Sequence, residues 1–204
     1  MIRAYIQARM SSERFPGKVL APLGGKPIIA RVIARVTQVI PSEMVVVATS
    51  QEESDDPLAY YLRGNGIQVF RGPLDNVFSR FQLCLREFPC TWFFRICADS
   101  PFLDSSLMQK IMNYCDRTQV DLVTNVFPRT FPPGRSLEMV NSKPFAAIDS
   151  ANLTKEEQEH LTQVYYNHSD RFKIINLESG NPALAKESFS VDTIEDLKRL
   201  ERVL

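Results

Sequence analysis

An α/β fold with a mostly parallel sheet is predicted by two features of the sequence. Strand patterns and helix patterns alternate through the first two thirds of the chain, as in successive βα units. The run MVVVAT at 44–49 is almost entirely apolar, as in a central strand that helices cover on both faces. The sequence contains no internal repeat, low-complexity tract or linker, so residues 1–204 are predicted to form a single domain.

The first half of the chain supplies three strands, each followed by a helix. Pro27 suits the first position of a helix because its φ is fixed near the helical value, and apolar residues then recur at helical spacing to Val36. The second helix is predicted to begin at Asp55 and to end near Gly64 or Gly66. The predicted strands are 2–7, 44–49 and 67–70, and the predicted helices are 27–36, 55–66 and 77–85.

The second half is predicted to add four strands, three helices and one irregular loop. The run TWFFRIC at 91–97 is rich in aromatic and branched side chains, which favour a strand, and Asp104 or Ser105 caps the helix after it. Three prolines exclude regular structure from 127–134, and loops of this kind often carry specificity. The remaining predicted elements are strands at 120–126, 137–140 and 172–177, and helices at 155–167 and 194–204.

A polar, cationic loop follows the first strand and is the most informative segment of the chain. It runs from Gln7 to Lys18 and contains Arg9 and Arg14 beside small residues that let backbone amides approach a ligand. In open α/β sheets, ligands bind beyond the carboxyl ends of the strands, so this loop lies where a nucleotide would bind. Cations around a tight turn attract a polyanion, and the loop is therefore predicted to hold a triphosphate. Composition alone leaves an ordinary solvated loop equally open.

Two aspartates are candidates for a metal site. Asp99 comes directly after the strand at 91–97, and Asp192 stands just before the last helix. An aspartate at a strand end often only caps a helix, but Asp104 or Ser105 is better placed for capping. Nucleotidyl transfer needs positive charge near the phosphates, and Mg²⁺ binds one or two carboxylates beside phosphate oxygens and water. We therefore predict that Asp99 and Asp192 bind such an ion.

Three motifs resemble the cytidylyltransferases that make CMP-activated sugar acids, in particular the SpsF-like branch of spore-coat polysaccharide biosynthesis. QARMSSERFPGKVL at 7–20 resembles the signature QARxxSxRxPGK, RICADSP at 95–101 resembles R(I/L)TGDCP, and VDTIED at 191–196 resembles VDTPEDL. The resemblance implies a three-layer, Rossmann-like nucleotidyltransferase fold of the GT-A-like type. It also implies that CTP is the co-substrate, that Mg²⁺ or Mn²⁺ is the cofactor, and that pyrophosphate is released as CMP is joined to a sugar acid.

The resemblance also implies roles for the matching residues. Lys18 would contact the α-phosphate, since lysine suits a point contact with a moving charge, and Arg9 would hold the β- and γ-phosphates through two nitrogens. With Asp99 and Asp192 as metal ligands, these residues form the predicted catalytic set. Arg14 can instead hold the loop. The predicted binding residues are, for the nucleotide, Gln7, Ala8, Arg9, Arg14, Gly17, Lys18, Thr49, Ser50, Arg71 and Arg95, and for the acceptor substrate, Arg80, Glu138, Glu159 and His160.

The sequence departs from the family patterns at several positions. Asn76 replaces the second aspartate of RGxxDDVLxR within 71–80, and Ser136 replaces the aspartate of PRGLDVE. Gln158 replaces the arginine of REHVT beside His160. The acids expected at positions 76 and 136 are therefore missing, and the sequence does not identify the acceptor.

Composition argues against several classes of function. The 24 basic and 24 acidic residues give no net charge, so no nucleic-acid partner is expected. No apolar run resembles a signal peptide or a membrane span of about 18 residues, so a cytoplasmic protein without a membrane partner is expected. The four cysteines lack CxxC spacing and are expected to be reduced thiols. No GxGxxG follows the first strand, which argues against a dehydrogenase.

Three hypotheses for the function follow. The first is a metal-dependent cytidylyltransferase that joins CMP to a sugar acid in the synthesis of surface polysaccharide or glycan precursors. The second is a transferase of the same fold that uses another nucleotide or a sugar phosphate. The third is a non-catalytic nucleotide-binding scaffold, favoured by Asn76 and Ser136, although the joint presence of the four predicted catalytic residues favours an enzyme. Relatives commonly pair through 127–167, so a homodimer is expected, with a substrate or dimerisation subregion there.

Overall fold

A seven-stranded mixed sheet forms the centre of the molecule. The structure is a computed structural model and describes residues 1–115 and 119–204. Seven of the strands form this sheet in the order β5-β4-β1-β6-β8-β7-β9, and β2 and β3 form a separate hairpin. The strands are β1 (Ile2–Gln7), β2 (Pro22–Leu23), β3 (Lys26–Pro27), β4 (Val45–Ser50), β5 (Gln68–Gly72), β6 (Trp92–Cys97), β7 (Leu122–Thr124), β8 (Glu138–Asn141) and β9 (Ile174–Asn176).

The pairing of the strands confirms the predicted α/β class. β5, β4, β1 and β6 run parallel, and β9 is parallel to β7. β8 is antiparallel to both β6 and β7, and its register sets Glu138 opposite Arg95. The carboxyl ends of β1 and β6 therefore meet at one edge, and β8 brings an acidic residue to the same edge from the opposite direction.

Helices cover both faces of the sheet. Alternate residues of a strand point to opposite faces, so Ala4 and Ile6 of β1 belong to one hydrophobic core and Tyr5 to the other. The first core includes Ile29 of α1, and the second includes Phe78 of α3. The helices are α1 (Ile28–Val36), α2 (Asp56–Gly64), α3 (Val77–Glu87), α4 (Ser105–Met112), α5 (Ser142–Ala147), α6 (Lys155–Glu159), α7 (Gln163–Asn167) and α8 (Ile194–Glu201).

The prediction of one helix over 155–167 was wrong. The segment forms two short helices, α6 and α7, and His160 leaves the helical conformation between them with φ −111° and ψ 79°. The break lets Leu161 bury completely in a hydrophobic core while Glu159 and His160 line the cleft described below. Sequence periodicity alone does not reveal this break.

Smaller differences concern turns and element ends. The hairpin of β2 and β3 was not predicted, although Gly24 and Gly25, which both adopt positive φ, are a two-residue turn signal. Pro27 consequently ends β3, and α1 begins one residue later than predicted. Helix α5 was also missed, the strand predicted at 120–126 is confined to 122–124, and the last helix ends at 201 rather than 204.

Two further findings concern the chain as a whole. Among the residues that the structure describes, no helix combines the length and apolar character needed to cross a bilayer. Within residues 1–115 and 119–204, no disulfide joins the cysteines, and Cys84 is buried in the core with α3. Burial raises the pKa of the Cys97 thiol to about 11.

Candidate active site

A cleft of about 640 Å³ opens at the carboxyl ends of β1 and β6. Four segments of the chain line it: the loop after β1, the end of β6, the loop between β7 and β8, and the turn before α8. Glu159 and His160, at the break after α6, close one side. The predicted cationic loop therefore lies at the sheet edge where ligands of such folds bind.

Lys18 lies at the centre of the charged groups in this cleft. Its Nζ is 3.0 Å from Asp99 Oδ2, 3.1 Å from Asp192 Oδ1 and 2.9 Å from the carbonyl oxygen of Val191. The lysine side chain is only 11% exposed. Burial acts to lower the pKa of Lys18, but the two carboxylates outweigh that effect and hold the pKa above its ordinary value.

The turn that delivers Lys18 depends on Gly17. Gly17 has φ +75°, a conformation that residues with a side chain rarely adopt, and its N–H donates to the carbonyl of Met10 at 2.8 Å. A single 3₁₀ turn, Lys18–Leu20, then directs the chain towards the hairpin. The PGK sequence is thus what folds the loop back on itself and aims the lysine inward.

Neither Asp99 nor Asp192 serves as a helix cap. Asp104 caps α4 by accepting from the N–H groups of Ser106 and Leu107 at 2.9 and 3.1 Å. Thr193 and Asp196 form a capping box at the start of α8. Asp196 therefore supports the start of α8, and both candidate aspartates are left facing Lys18.

The donor set of the two aspartates fits a hard divalent ion. One ammonium nitrogen contacts an oxygen of each carboxylate, at 3.0 and 3.1 Å, so the two acids converge on one point. In the described parts of the chain, no group of three or more His, Cys, Asp or Glu residues could hold a metal. Two carboxylates suit Mg²⁺ or Mn²⁺, which take their other ligands from phosphates and water.

Arg9 and Arg14 also line the cleft, and each is paired with an acid. Arg9 Nη2 lies 3.0 Å from Glu159 Oε1, and Arg14 Nη2 lies 2.9 Å from Asp192 Oδ1. Both pairs are partly exposed, so a polyanion can replace the carboxylates without moving a buried group. The sequence did not predict these pairs, because residues about 150 positions or more apart meet only in the folded chain.

The floor of the cleft is a buried polar network. Arg95 Nη1 lies 3.1 Å from Glu138 Oε2, and its Nη2 donates to Gln7 Oε1 at 2.9 Å. Tyr166 donates its hydroxyl proton to the other oxygen of Glu138 at 2.6 Å. Burial acts to lower the pKa of Arg95, but the surrounding groups, Cys97 and Glu138 foremost, outweigh it and raise the pKa.

Thr49 and Ser50 do not line the cleft and were misplaced by the sequence-based interpretation. Both are fully buried and bind the carboxylate of Asp55, with Thr49 Oγ1 at 2.8 Å and the Ser50 N–H at 3.0 Å. The other oxygen of Asp55 accepts from the N–H of Met10 at 2.6 Å. Asp55, which was interpreted only as the start of a helix, therefore fastens the cationic loop to the end of β4.

Arg71, which was predicted to bind the nucleotide, also does not line the cleft. Its Nε and Nη2 donate to the carbonyl oxygens of Ser50 and Glu52, each at 2.8 Å, and its Nη1 pairs with Asp56 at 2.5 Å. The arginine therefore holds the loop between β4 and α2. Its contribution to the cleft is indirect, through the segment that positions Asp55.

Arg80, predicted to bind the acceptor, is completely buried beneath the site. Its Nη1 donates to the carbonyl of Pro73 at 2.9 Å, while its Nε and Nη2 have no hydrogen-bond partner among the described residues. Burial, and to a smaller degree the charge of Arg9, lowers the pKa of Arg80 to about 10. The Arg80 side chain of α3 is thus directed into the interior and does not line the cleft, where it was predicted to bind the acceptor.

The predicted site residues divide into two groups in the folded chain. Those that share the cleft are Gln7, Ala8, Arg9, Arg14, Lys18, Arg95, Asp99, Glu138, Glu159, His160 and Asp192. Gly17 shapes the loop without lining the cleft, and the four residues discussed above lie behind it. The sequence analysis missed Arg129, which lines the cleft from the proline-containing loop, and the only signal for it was the irregular character of that loop.

Fold and site together define a nucleotidyltransferase: a mostly parallel α/β sheet with a cationic loop after the first strand and two acids at the same edge. Residues 4–202 match the cytidylyltransferase family, and the chain belongs to that family. It is 29% identical to the spore coat polysaccharide biosynthesis protein SpsF of Bacillus subtilis, over 96% of this chain and 83% of that protein.

Two further relatives extend the comparison. A 3-deoxy-manno-octulosonate cytidylyltransferase of Geobacter sulfurreducens is 44% identical over 68 residues, which cover 33% of this chain and 26% of that one. The solved structure of a cytidylyltransferase from Leptospira borgpetersenii superposes with a TM-score of 0.91 at 28% identity, covering 98% of this chain and 84% of the other. The family recognised from the motifs, including its SpsF-like branch, is therefore confirmed.

Proposed function

We propose that this cytidylyltransferase transfers CMP from CTP to a hydroxyl group of a sugar acid and releases pyrophosphate, with Mg²⁺ or Mn²⁺ bound. The observation that carries the proposal is the convergence of Lys18 with Asp99 and Asp192, at 3.0 and 3.1 Å. These side chains come from the loop after β1, the end of β6 and the turn before α8. An ammonium group between two acids at a strand edge suits a site for phosphates and a cation.

The reaction needs positioning more than covalent chemistry by the protein. The acceptor oxygen forms a bond to the α-phosphorus, the bond from that phosphorus to the bridging oxygen breaks, and the hydroxyl proton passes to water. Lys18 would neutralise charge at the α-phosphate, and Arg9 would leave Glu159 to hold the β- and γ-phosphates. A divalent ion held by Asp99 and Asp192 would supply further positive charge to the phosphate oxygens.

Two arguments support an active enzyme over a scaffold. All four predicted catalytic residues line one cleft, in which Lys18 contacts both aspartates and Arg9 contacts Glu159. Asn76, which lacks the charge of the family residue, caps α3 by accepting from the Ser79 N–H at 2.8 Å. That departure therefore serves the fold and is no sign of a decaying site.

The choice of CTP and of a sugar acid rests on the relatives. Thr49 and Ser50, which were expected to contact the base, are buried behind the cleft, so they give no support to a preference for cytosine. The related SpsF protein is named for spore-coat polysaccharide synthesis, and the related octulosonate enzymes for a sugar acid. We propose the same general role in polysaccharide or glycan precursor synthesis.

The test measures pyrophosphate release from CTP, UTP, GTP, ATP and dTTP in parallel, each with 3-deoxy-manno-octulosonate, N-acetylneuraminate or glucose 1-phosphate. We expect release with CTP and a sugar acid, and loss of release when EDTA removes divalent ions. The Asp99→Asn protein is the control for pyrophosphate release by contaminating enzymes. Preferential use of another nucleotide or of the sugar phosphate would replace the proposal with the second hypothesis. If the protein binds CTP but releases no pyrophosphate with any acceptor, the result favours the third hypothesis, a non-catalytic nucleotide-binding scaffold.

A homodimer through 127–167 remains a prediction. Phe127 is 40% exposed and stacks on Tyr166 with ring centroids 4.8 Å apart, which gives this subregion an apolar surface. Sedimentation equilibrium measures the dissociation constant of the dimer for the protein and for its Phe127→Ser variant. We expect a dimer whose dissociation constant rises in the variant, and a monomer at all concentrations would contradict the prediction.

A further inference from the structure

A third hydrophobic cluster is formed beside the cleft by segments outside the seven-stranded sheet. It joins loop residues to the hairpin of β2 and β3 and to the helices α1 and α8. Its buried members are Leu23, Ile28, Val191 and Leu200, and the half-buried residues that pack against them are Phe15, Ala21, Phe102, Phe189 and Leu197. The two larger cores cover the faces of the sheet, whereas this third cluster connects segments at its edge.

Each of the three charged groups that converge in the cleft has a phenylalanine of the third cluster three positions away along the chain. The pairs are Phe15 with Lys18, Phe102 with Asp99, and Phe189 with Asp192. The segments that carry these pairs are the loop after β1, the end of β6 and the turn before α8. The same three segments therefore meet twice, once through their charges and once through their apolar side chains.

The Phe189 side chain joins the third cluster to two walls of the cleft. Its ring centroid lies 5.8 Å from that of Phe102, with the two ring planes at 53°. The guanidinium carbon of Arg135 lies over the Phe189 ring, 4.4 Å from its centroid, in a cation–π contact. Phe102 follows β6, and Arg135 belongs to the loop before β8, so a single ring contacts side chains of both segments.

The backbone of Phe189 is held against the same loop. Its N–H donates to the carbonyl of Pro133 at 2.8 Å. A β-carbon added at Gly134, which has φ +84°, would overlap the carbonyl carbon of Phe189 and the nitrogen of Ser190. A residue without a side chain lets the loop and the segment before Asp192 approach this closely. That segment is therefore fixed through its backbone as well as through the Phe189 ring.

Val191, two residues after Phe189, connects this arrangement to the charged groups. The Val191 N–H donates to the carbonyl of Asp99 at 2.9 Å, and the Val191 carbonyl accepts from Lys18 Nζ at 2.9 Å. The Val191 side chain is fully buried in the third cluster. Asp192 is the next residue, so the contacts of Phe189 and Val191 determine where its carboxylate lies relative to that of Asp99.

We propose that Phe189 is a positioning residue that sets the spacing between Asp99 and Asp192 and so controls how tightly the pair holds a divalent ion. The inference rests on the proposed function, since it concerns the metal site of that reaction. Phe189 does not line the cleft, and it acts through the segments that carry the two acids. Replacing groups that orient metal ligands from behind typically changes metal affinity or activity by about 10- to 100-fold.

The experiment is equilibrium dialysis of the protein against Mn²⁺ and a CTP analogue whose α- and β-phosphates are joined by methylene. The analogue and its Mn²⁺ complex are equal on both sides of the membrane, so the excess of Mn²⁺ in the protein chamber is the ion bound to the protein. We expect the Phe189→Leu variant, which loses the ring and keeps an apolar side chain, to raise the Kd for Mn²⁺ about 10-fold. Binding of the analogue in the presence of EDTA should change less than about twofold, because the cations of the cleft are retained.

Phe88→Leu is the matched control, because it also removes a half-buried ring that an arginine covers. The guanidinium carbon of Arg3 lies 5.8 Å from the Phe88 ring centroid, at the end of β1 that is remote from the cleft. Both substitutions should lower the melting temperature, but only Phe189→Leu should raise the Kd for Mn²⁺. A merely structural role of Phe189 would lower the melting temperature and leave the Kd unchanged.

Arg135→Gln keeps the test decisive if the Phe189→Leu protein does not fold. The change removes the cation from the face of the Phe189 ring and leaves the ring in place. We expect a smaller rise in the Kd for Mn²⁺, by about twofold to fivefold, in line with the strength of an exposed cation–π contact. An unchanged Kd in Arg135→Gln, with Phe189→Leu unfolded, would overturn the proposal.

The outcomes separate this inference from the proposed function. A folded Phe189→Leu protein that binds Mn²⁺ as tightly as the wild type would overturn the positioning role, and so would an equal loss of affinity in Phe88→Leu or the absence of protein-bound Mn²⁺ from the wild type. Pyrophosphate release from CTP is measured on the same preparations and decides the proposed function by itself. A wild-type protein that binds Mn²⁺ but releases no pyrophosphate with any acceptor would remove the first proposal, and a raised Kd in Phe189→Leu would still support the second.

Discussion

The proposed phosphate end of the cleft, around Lys18, and the floor, around Arg95, differ in how far their acidic side chains are exposed to solvent. At the phosphate end, Lys18 contacts Asp99 and Asp192, whose side chains are 27% and 31% exposed. On the floor, Arg95 and Glu138 pair with only 13% and 5% of their side chains exposed. The two ends differ in their acids, since Lys18 itself is only 11% exposed. A partly exposed carboxylate exchanges partners at little cost, whereas a buried pair that loses one member leaves an uncompensated charge.

This contrast separates the part of the cleft that acts from the part that supports it. In the proposed reaction, a bound triphosphate would take Lys18 from the two aspartates and Arg9 from Glu159, and the aspartates would then be available to a cation. The floor cannot exchange partners in that way, since Glu138 is nearly fully buried between Arg95 and Tyr166 and its loss would leave the Arg95 charge without a counter-charge. Substitutions at the phosphate end should therefore change the rate, and substitutions in the floor should change the stability.

The largest effect is expected for Asp99→Asn. The change removes one of the two charges of the proposed metal site without changing the side-chain volume, and we expect kcat to fall by at least about 1,000-fold. The melting temperature should stay close to that of the wild type, because Asp99 caps no helix. Pyrophosphate release and thermal unfolding are the two measurements.

The control for this prediction is Asp170→Asn, an exposed aspartate in the turn before β9. This substitution should leave both kcat and the melting temperature unchanged. Near-normal turnover in the Asp99→Asn protein would remove that residue from the metal site and weaken the distinction between the two ends of the cleft.

Lys18→Ala should follow, with kcat lower by about 100- to 1,000-fold and a smaller change in the KM for CTP. The reason is that charge on the α-phosphate grows as the reaction proceeds, so the lysine contributes more to the transition state than to binding. Steady-state kinetics of pyrophosphate release give both constants. Lys143→Ala, which truncates an exposed lysine on α5, is the control. If only the KM rises, Lys18 is a binding residue.

The phosphate end is also the part of the site that the sequence predicted best. Asp99 stands just beyond the end of β6, and Lys18 belongs to the loop that leaves β1. The carboxyl ends of parallel strands lie together in any fold of this class. Asp192, in the turn before α8, was found through its motif. The strands themselves were recognisable from their apolar runs, with β1 predicted at its observed limits, Ile2–Gln7. Topology together with the family motifs was therefore sufficient to place these residues in one cleft.

The floor and the walls could not be predicted in the same way. Arg71 was assigned to the nucleotide from the resemblance of 71–80 to a family motif, but each of its three guanidinium nitrogens bonds to the segment at 50–56. Arg80 was assigned to the acceptor from a motif, yet it is buried. The pairing of Arg95 with Glu138 depends on the antiparallel insertion of β8, which no local pattern specifies. Side-chain partners far apart in the chain decide these cases.

Glu138→Gln tests the floor. The change leaves Arg95 with a buried charge and no counter-charge, and we expect the free energy of unfolding to fall by about 3 kcal/mol. Urea unfolding followed by circular dichroism measures it. Glu156→Gln, an exposed position on α6, should cost less than about 0.5 kcal/mol. A loss below about 1 kcal/mol for Glu138→Gln would mean that the floor exchanges partners as readily as the phosphate end.

The smallest effect is expected for Asp55→Asn, which affects the support of the cationic loop. The Asp55 carboxylate accepts from Met10, Thr49 and Ser50, and an amide can accept through one oxygen only. We expect a loss of about 2 kcal/mol at neutral pH and a higher KM for CTP, since the loop is held less firmly. Urea unfolding and kinetics give the two values.

The pH dependence of the same variant shows whether the charge of Asp55 is responsible. Burial acts to raise the pKa of Asp55, but the hydrogen bonds from Met10, Ser50 and Thr49 outweigh it and hold the pKa below its ordinary value of 3.8. A carboxyl group with a depressed pKa stabilises the fold above its unfolded pKa and loses that contribution as the pH falls through the lower, folded value. The stability difference between wild type and Asp55→Asn should therefore be constant from neutral pH down to about pH 5 and should shrink below about pH 4. A difference that stays the same at pH 3 would assign the effect to geometry alone, and the loop would then depend on the number of hydrogen bonds rather than on the charge that accepts them.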